Sequence, residues 1–221
     1  MQCNVIFPGR SQRISIAISM PKLNKNKFIL GVTGNLACGK STVAAMFKTQ
    51  DCLLIDADRL GHRFLSAPGL VYKKIINTFG EGILDPDKKI NRAKLAKRVF
   101  AGKKDLARLN AIVHPVLIKE IKRLIKNSDK KIIILDAALI IEAGLRKIAD
   151  KLVVVTAKKN QQILRQQKGA GLSREDILSR LKSQISQSKK KRFADFIIDN
   201  SGSIVETKKQ VCAIRRKLWK S

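Results

Sequence analysis

Acidic side chains are scarce: 17 Asp and Glu stand against 46 Lys and Arg, a formal charge of +29 on 221 residues. Such an excess attracts polyanions, whether nucleotides, phosphorylated small molecules or nucleic acid, but net charge governs solubility and encounter rather than site chemistry. Aromatic residues make up only 5% of the chain, with one Trp and one Tyr. Platforms that stack bases on rings are therefore disfavoured, and no specific nucleic-acid partner is expected. The four cysteines, Cys3, Cys38, Cys52 and Cys212, fit neither a zinc pattern nor a disulfide framework. Free thiols of this kind suit a reducing compartment and lead us to expect a cytoplasmic protein. No apolar run is long enough to cross a bilayer; the longest, Ile132 to Leu145, is interrupted by Asp136 and Glu142, so no membrane partner is expected.

Against these absences, hydrophobic residues reach 44%, enough for a globular chain whose length suits one α/β domain with a small inserted subdomain. The basic runs Lys119 to Lys131 and Lys189 to Arg192 read as solvated helix faces. Residues 1–27 carry Arg10, Arg13, Lys22, Lys25 and Lys27 and no acid. Their apolar segment, Ile14 to Met20, is short and broken by serines, a poor secretory signal. The basic, acid-free character bears only a faint likeness to a transit peptide, and a translation start at Met20 explains the extension more simply; little order is expected there.

The stretch that organises the chain runs from Phe28 to Thr42. An apolar run, Phe28 to Val32, feeds a G-x-x-x-x-G-K-S motif (Gly34, Gly39, Lys40, Ser41) that opens into an amphipathic segment with Val43, Met46 and Phe47. That order is strand, phosphate loop, helix. Glycines at the turn let backbone N–H groups converge on phosphate oxygens, and the helix N-terminus adds partial positive charge. Lys40 can reach the β- and γ-phosphates of a nucleotide, and the Ser41 hydroxyl can ligate Mg²⁺. Cys38, inside the loop, serves as a small residue whose oxidation would impede nucleotide binding.

Further apolar runs predict a parallel sheet covered on both faces. Cys52 to Asp58 reads as a strand ending in two carboxylates, Asp56 and Asp58, on one face; Lys130 to Asp136, Lys151 to Thr156 and Phe193 to Asp199 complete five strands. In such sheets the ligand crevice lies beyond the carboxyl ends of the strands, where both acids and the phosphate loop belong. Asp58 is then a candidate general base and Asp56 a residue that orients Mg²⁺ or its waters, unless one of them merely caps the next helix. Asp136 is either a metal-associated acid or a cap. Leu60 to Asn127 reads as a helical excursion, interrupted at Ala67-Pro68-Gly69, Gly80 to Lys88 and Gly102, in which His114 is functional or structural. Arg165, Lys168 and a flexible Gly169-Ala170-Gly171 suit either a closing lid or an ordinary turn; Ser173 caps the helix that follows. A final helix spans Ser203 to Lys217.

Several segments together resemble the dephospho-coenzyme A kinase family: Val32 to Thr42; Ile55-Asp56-Ala57-Asp58 with His62 beyond; Pro68-Gly69; Phe79-Gly80 with Ile83-Leu84; Leu109 to Pro115; Leu139 through Glu142; Gln162 with Arg165; Gln184; and Ala194 to Gly202. The resemblance covers about Phe28 to Val211. It implies a P-loop NTPase fold: a five-stranded parallel sheet core flanked by helices (residues 28–58, 130–160 and 190–221), a helical substrate-binding insertion (about 59–128) and a lid (about 162–188). It also implies MgATP-dependent phosphorylation of the ribose 3′-hydroxyl of dephospho-coenzyme A by a monomer or small homo-oligomer, the last step of coenzyme A synthesis. By position, Gly34, Asn35, Leu36, Ala37, Cys38, Gly39, Lys40, Ser41 and Thr42 bind the ATP phosphates, Asp58 is the base, Arg165 neutralises charge, and His62 and His114 fall in the acceptor region. The family usually has Gly at the positions of Asn35 and Ala37 and Pro at Ala138, and its second lid arginine aligns with Gly169, next to Lys168.

Overall fold

The computed structural model describes residues 26–66 and 69–219. The extension before residue 26 and the Ala67-Pro68 interruption lie outside them. The β-branched runs form β1 (Phe28–Gly34), β2 (Cys52–Asp56), β3 (Ile132–Asp136), β4 (Lys151–Thr156) and β5 (Phe196–Asp199). All pair in parallel, in the order β2-β3-β1-β4-β5. The sheet is buried on both faces, which is why β3 and β4 read as unbroken apolar runs rather than alternating ones. Alternate side chains nevertheless serve different layers. Ile29, Ile133, Leu135, Leu152 and Val154 pack with Leu117, Ile121 and Ile125 of α5 (Lys103–Asn127). Leu30, Val32, Ile134, Val153 and Val155 pack with Val43 and Phe47 of α1 (Lys40–Phe47) and with Val211 and Ile214 of α9 (Ile204–Leu218). Burial of each of these large side chains is worth about 1.5–3 kcal/mol.

Between β2 and β3 stand α2 (Ala57–Ser66), α3 (Leu70–Phe79), α4 (Arg92–Ala101) and α5. They enclose a third apolar cluster of Val71, Ile75, Ile83, Ile90, Leu95 and Val99. The first half of α5 packs on that cluster through Leu106, Leu109, Ile112 and Val113, and its second half packs on the sheet, with Pro115 between the two. One long helix thus ties the excursion to the core. The Lys27 ammonium donates to the carbonyls of Ile125, Lys126 and Ser128, which would otherwise be orphaned at the C-terminus of α5.

Between β4 and β5 lie α6 (Lys159–Ala170), α7 (Arg174–Ser183) and α8 (Gln187–Lys191). Ser173 caps α7 by accepting from Asp176 N, as its spacing predicts, and Ser203 forms a full capping box with Glu206 at α9. Several expected element boundaries change. The second strand ends at Asp56 rather than Asp58, because the Asp56 carboxylate accepts the Arg59 N–H at 2.9 Å and starts α2 at Ala57. Gly169 and Ala170 lie inside α6, which stops at Gly171 in the left-handed region (φ 61°), so this segment is helix and C-terminal cap rather than a three-residue hinge.

The fifth strand is also shorter than expected, since residues 193–195 form the approach to it. There the Asp195 carboxylate accepts the Leu152 N–H at 2.8 Å and meets Arg146 at 3.1 Å and Lys151 at 3.2 Å. Burial opposes its charge, but the amide and the two cations hold its pKa below the usual 3.8. A depressed carboxylate pKa contributes stability at pH values above 3.8 that is lost as pH falls through the folded-state value. The melting temperature is therefore expected to drop on acidification below about pH 4, and Asp195→Asn to flatten that drop; scanning calorimetry across pH 3 to 7 measures both.

Candidate active site

The carboxyl ends of β1, β2 and β3 meet at one edge, where register pairs Val32 with Asp136 and Asp56 with Asp136. The loop Asn35–Gly39 leaves β1 there and turns into α1. Gly34 must be glycine because a Cβ would lie 2.3 Å from Cys38 Sγ and 2.5 Å from the Val155 carbonyl. Gly39 sits at φ 87°, and a Cβ on it would come 2.1 Å from Asn200 Nδ2. Gly39→Ala combines that clash with a left-handed penalty of about 1–2 kcal/mol. The variant is expected to lose several degrees of melting temperature and detectable ATP binding by calorimetry. Ala37 takes the left-handed conformation too, at φ 56°, so the loop keeps its shape here at the same conformational cost despite lacking a glycine.

The carbonyl side of the loop is tied down. Asn200 Nδ2 donates to Cys38 O (2.9 Å), and Thr207 Oγ1 donates to Asn200 Oδ1 (2.8 Å). Arg165 donates to Ala37 O (3.3 Å) and to Asn200 O (2.9 Å). On the other side Leu36 N donates to Gln184 Oε1 (3.0 Å), and Asn35 Nδ2 to Ile185 O (3.0 Å). The first-turn amides of α1 have no intrahelical acceptors and border a cleft of about 290 Å³, lined by residues 35–42 with Asp58, Ala138, Gln166 and Gln184. Such a cradle suits phosphate. Burial pushes the Cys38 thiol up to about 11, so at neutral pH it is a neutral, poorly nucleophilic filler of the loop.

Lys40 is the electrostatic centre of the cleft. Its ammonium lies 2.6 Å from Asp58 Oδ2 and 3.2 Å from Asp136 Oδ1. Burial would lower its pKa, but the two carboxylates raise it well above the usual lysine range. Asp136 is only 2% exposed, and burial raises its pKa although Lys40 and the Ser41 hydroxyl favour its charge. Apart from the Lys40 ion pair, its Oδ1 is buried without a hydrogen-bond partner. No helix follows Asp136 directly, so it is not a cap. Asp58 reaches the cleft from the first turn of α2, with Ala138 N donating to its Oδ1 at 3.4 Å.

The remaining predicted residues sit further out. Asp56 caps α2 and does not line the cleft. His62 lies one turn beyond Asp58, with Arg92 Nη2 3.1 Å from each ring nitrogen; burial, then the Arg92 charge, lower its pKa. His114 is half-buried on α5, and burial lowers its pKa against the pull of the Glu142 carboxylate. Lys168 is exposed on α6. The run Lys189 to Arg192 is not wholly a solvated face: Lys190 is 0% exposed, donates to Ala138 O at 2.6 Å and pairs with Glu142 at 3.1 Å. Gln166 is the cleft residue that no motif marked. Asn200, Gln184 and Glu142 were marked only within family-like segments.

The comparisons with known proteins agree with this geometry. The CoaE dephospho-CoA kinase family model matches residues 28–206. A dephospho-CoA kinase of Aquifex aeolicus is 44% identical over 194 residues, spanning 86% of this chain and 96% of the relative. A crystal structure from Thermus thermophilus superposes with a TM-score of 0.73 at 28% identity, covering 88% of this chain and 99% of that one. A dephospho-CoA kinase from Campylobacter jejuni gives a TM-score of 0.60 at 28% identity, over 87% of this chain and 97% of that one. With the phosphate loop, the parallel sheet and Asp58 at one cleft, the chain belongs to the dephospho-CoA kinase family.

Proposed function

We propose that this protein transfers the γ-phosphoryl group of ATP to the ribose 3′-hydroxyl of dephospho-coenzyme A, giving coenzyme A and ADP. The observation that carries this reading is the Lys40 bridge: one ammonium links the phosphate cradle to an acid, Asp58, that faces the same cleft. Phosphoryl transfer needs little covalent help from a protein beyond positioning and charge neutralisation. The loop amides and Lys40 hold the triphosphate. As Lys40 turns to phosphate, Asp58 is released from its ion pair and is free to accept the proton of the attacking hydroxyl. Arg165 adds positive charge beside the loop while its donors hold the Ala37 and Asn200 carbonyls.

Magnesium fits the same place. The buried Asp136 carboxylate, whose Oδ1 has only the Lys40 ammonium at 3.2 Å beside it, lies next to the Ser41 hydroxyl, and together they offer hard oxygen donors of the kind the ion takes. When bound there, the ion would neutralise charge on the phosphate oxygens. In this reading α2 to α5 form the acceptor-binding subdomain, with His62, Arg92 and His114 toward the acceptor, and residues 162–188 form a lid in which Lys168 stands near the missing second arginine. Free thiols at Cys38, Cys52 and Cys212, and no helix among the described residues long and apolar enough to cross a membrane, suit a cytoplasmic enzyme. ATP consumption measured with dephospho-coenzyme A, adenosine, AMP or no acceptor tests the proposal. Turnover is expected with the first alone; equal rates with adenosine or AMP would assign a different acceptor.

A further inference from the structure

The Lys190–Glu142 ion pair takes no part in the mechanism above, yet it joins both halves of the cleft. A lysine at 0% exposure loses several kcal/mol of hydration, and an apolar side chain would fill the same volume more cheaply. What the ammonium does is hold two backbone segments. Its first arm is the donation to Ala138 O at 2.6 Å, a carbonyl that also accepts from Thr33 Oγ1 on β1 at 3.1 Å. The N–H of the same residue, Ala138, points at Asp58 Oδ1. Its second arm is Glu142, whose Oε1 lies 3.1 Å from the ammonium and accepts the Ile185 N–H at 3.2 Å. Ile185 O accepts from Asn35, and the neighbouring Gln184 accepts from Leu36 N, so this segment lies directly on the phosphate loop.

The geometry points to Lys190 and Glu142 as positioning residues that fix the Asp58 carboxylate relative to the phosphate loop, one arm through Ala138 and the other through Gln184–Ile185. This rests on the kinase reading, with Asp58 as the base. Neither side chain touches a reacting atom. Their effect is on kcat, because displacement of a base by about 1 Å costs on the order of 10²-fold in rate while leaving most ground-state contacts in place. When the Ala138 N–H is no longer held toward Asp58, the carboxylate loses a contact that sets its direction relative to the phosphate loop.

The test is the variant Lys190→Met with Glu142→Gln, which removes both charges together and leaves no unpaired ion. Replacing a whole buried pair is often neutral for stability. The expected result is a cooperative melt, kcat lower by about 10- to 100-fold, and Michaelis constants for both substrates within about threefold of those of the parent protein. A folded double variant with parental kcat overturns the inference, and so does one whose Michaelis constants rise as much as its kcat falls. Where the double variant gives no cooperative melt, Glu142→Gln alone decides. It keeps an acceptor for the Ile185 N–H but removes the charge that holds the ammonium, and a smaller fall in kcat at nearly unchanged Michaelis constants is expected; a parental kcat overturns the inference. Failure of the kinase reading is seen separately, as a parental protein that does not phosphorylate dephospho-coenzyme A.

Discussion

Lys40→Ala is expected to lower kcat/KM for phosphoryl transfer by about 10³-fold, the scale seen when one preorganised cationic or hydrogen-bond donor is removed from a developing negative charge. The effect has two sources. The variant lacks the ammonium that reaches the β- and γ-phosphates, and it leaves Asp58 and Asp136 facing the cleft without their shared counter-ion. Their negative charge then repels the triphosphate. Stability also falls, but protonation limits the loss: burial already raises the Asp136 pKa, and without Lys40 that carboxyl takes up a proton more readily. An acid whose folded-state pKa is raised makes a protein less stable as pH rises through that range. The variant should therefore melt higher at pH 5 than at pH 8, by more than the parent protein does. Steady-state kinetics and melting curves at the two pH values check both parts; near-normal turnover would remove Lys40 from the mechanism.

Asp58→Asn separates binding from chemistry. Asparagine keeps the side-chain shape and an oxygen for the Ala138 N–H, but it cannot take a proton and does not pair with Lys40. ATP affinity by calorimetry should be unchanged or tighter, since the Lys40 ammonium no longer divides its attraction between Asp58 and phosphate. Turnover should fall by about 10²- to 10⁴-fold, the usual contribution of a positioned base. An unimpaired rate would take the base role from Asp58, and lost ATP binding would make it part of the loop's framework instead.

How far the sequence carries these arguments differs from residue to residue. The phosphate loop is legible because its chemistry is local: Gly34 and Gly39 are required by backbone space, and Lys40 and Ser41 follow at fixed spacing. Strand β4 is read to the residue, since its β-branched run is bounded on both sides by polar residues. The cap at Ser173 is local too. The route of Asp58 into the cleft was not legible as a strand position, because the carboxylate of Asp56 competes to start a helix, and alternation along a strand stops where helix begins. Gly169 misled for a related reason. A glycine inside a helix costs only about 1 kcal/mol, which neighbouring turns of α6 outweigh, and the break falls at Gly171. Lys190 was hidden inside a basic run. Which member of Lys189 to Arg192 is buried depends on Glu142, 48 positions away along the chain, and on no local pattern.

The central claim is that the cleft between the phosphate loop and Asp58 carries phosphoryl transfer to a ribose hydroxyl. It is tested most directly by incubating the protein with Mg²⁺, dephospho-coenzyme A and ATP labelled in the γ-phosphoryl group, then locating the label by mass and phosphorus NMR. The account predicts one label per product molecule, as a monoester on the ribose 3′-oxygen. Label recovered only as inorganic phosphate, or on another oxygen of the acceptor, would contradict it.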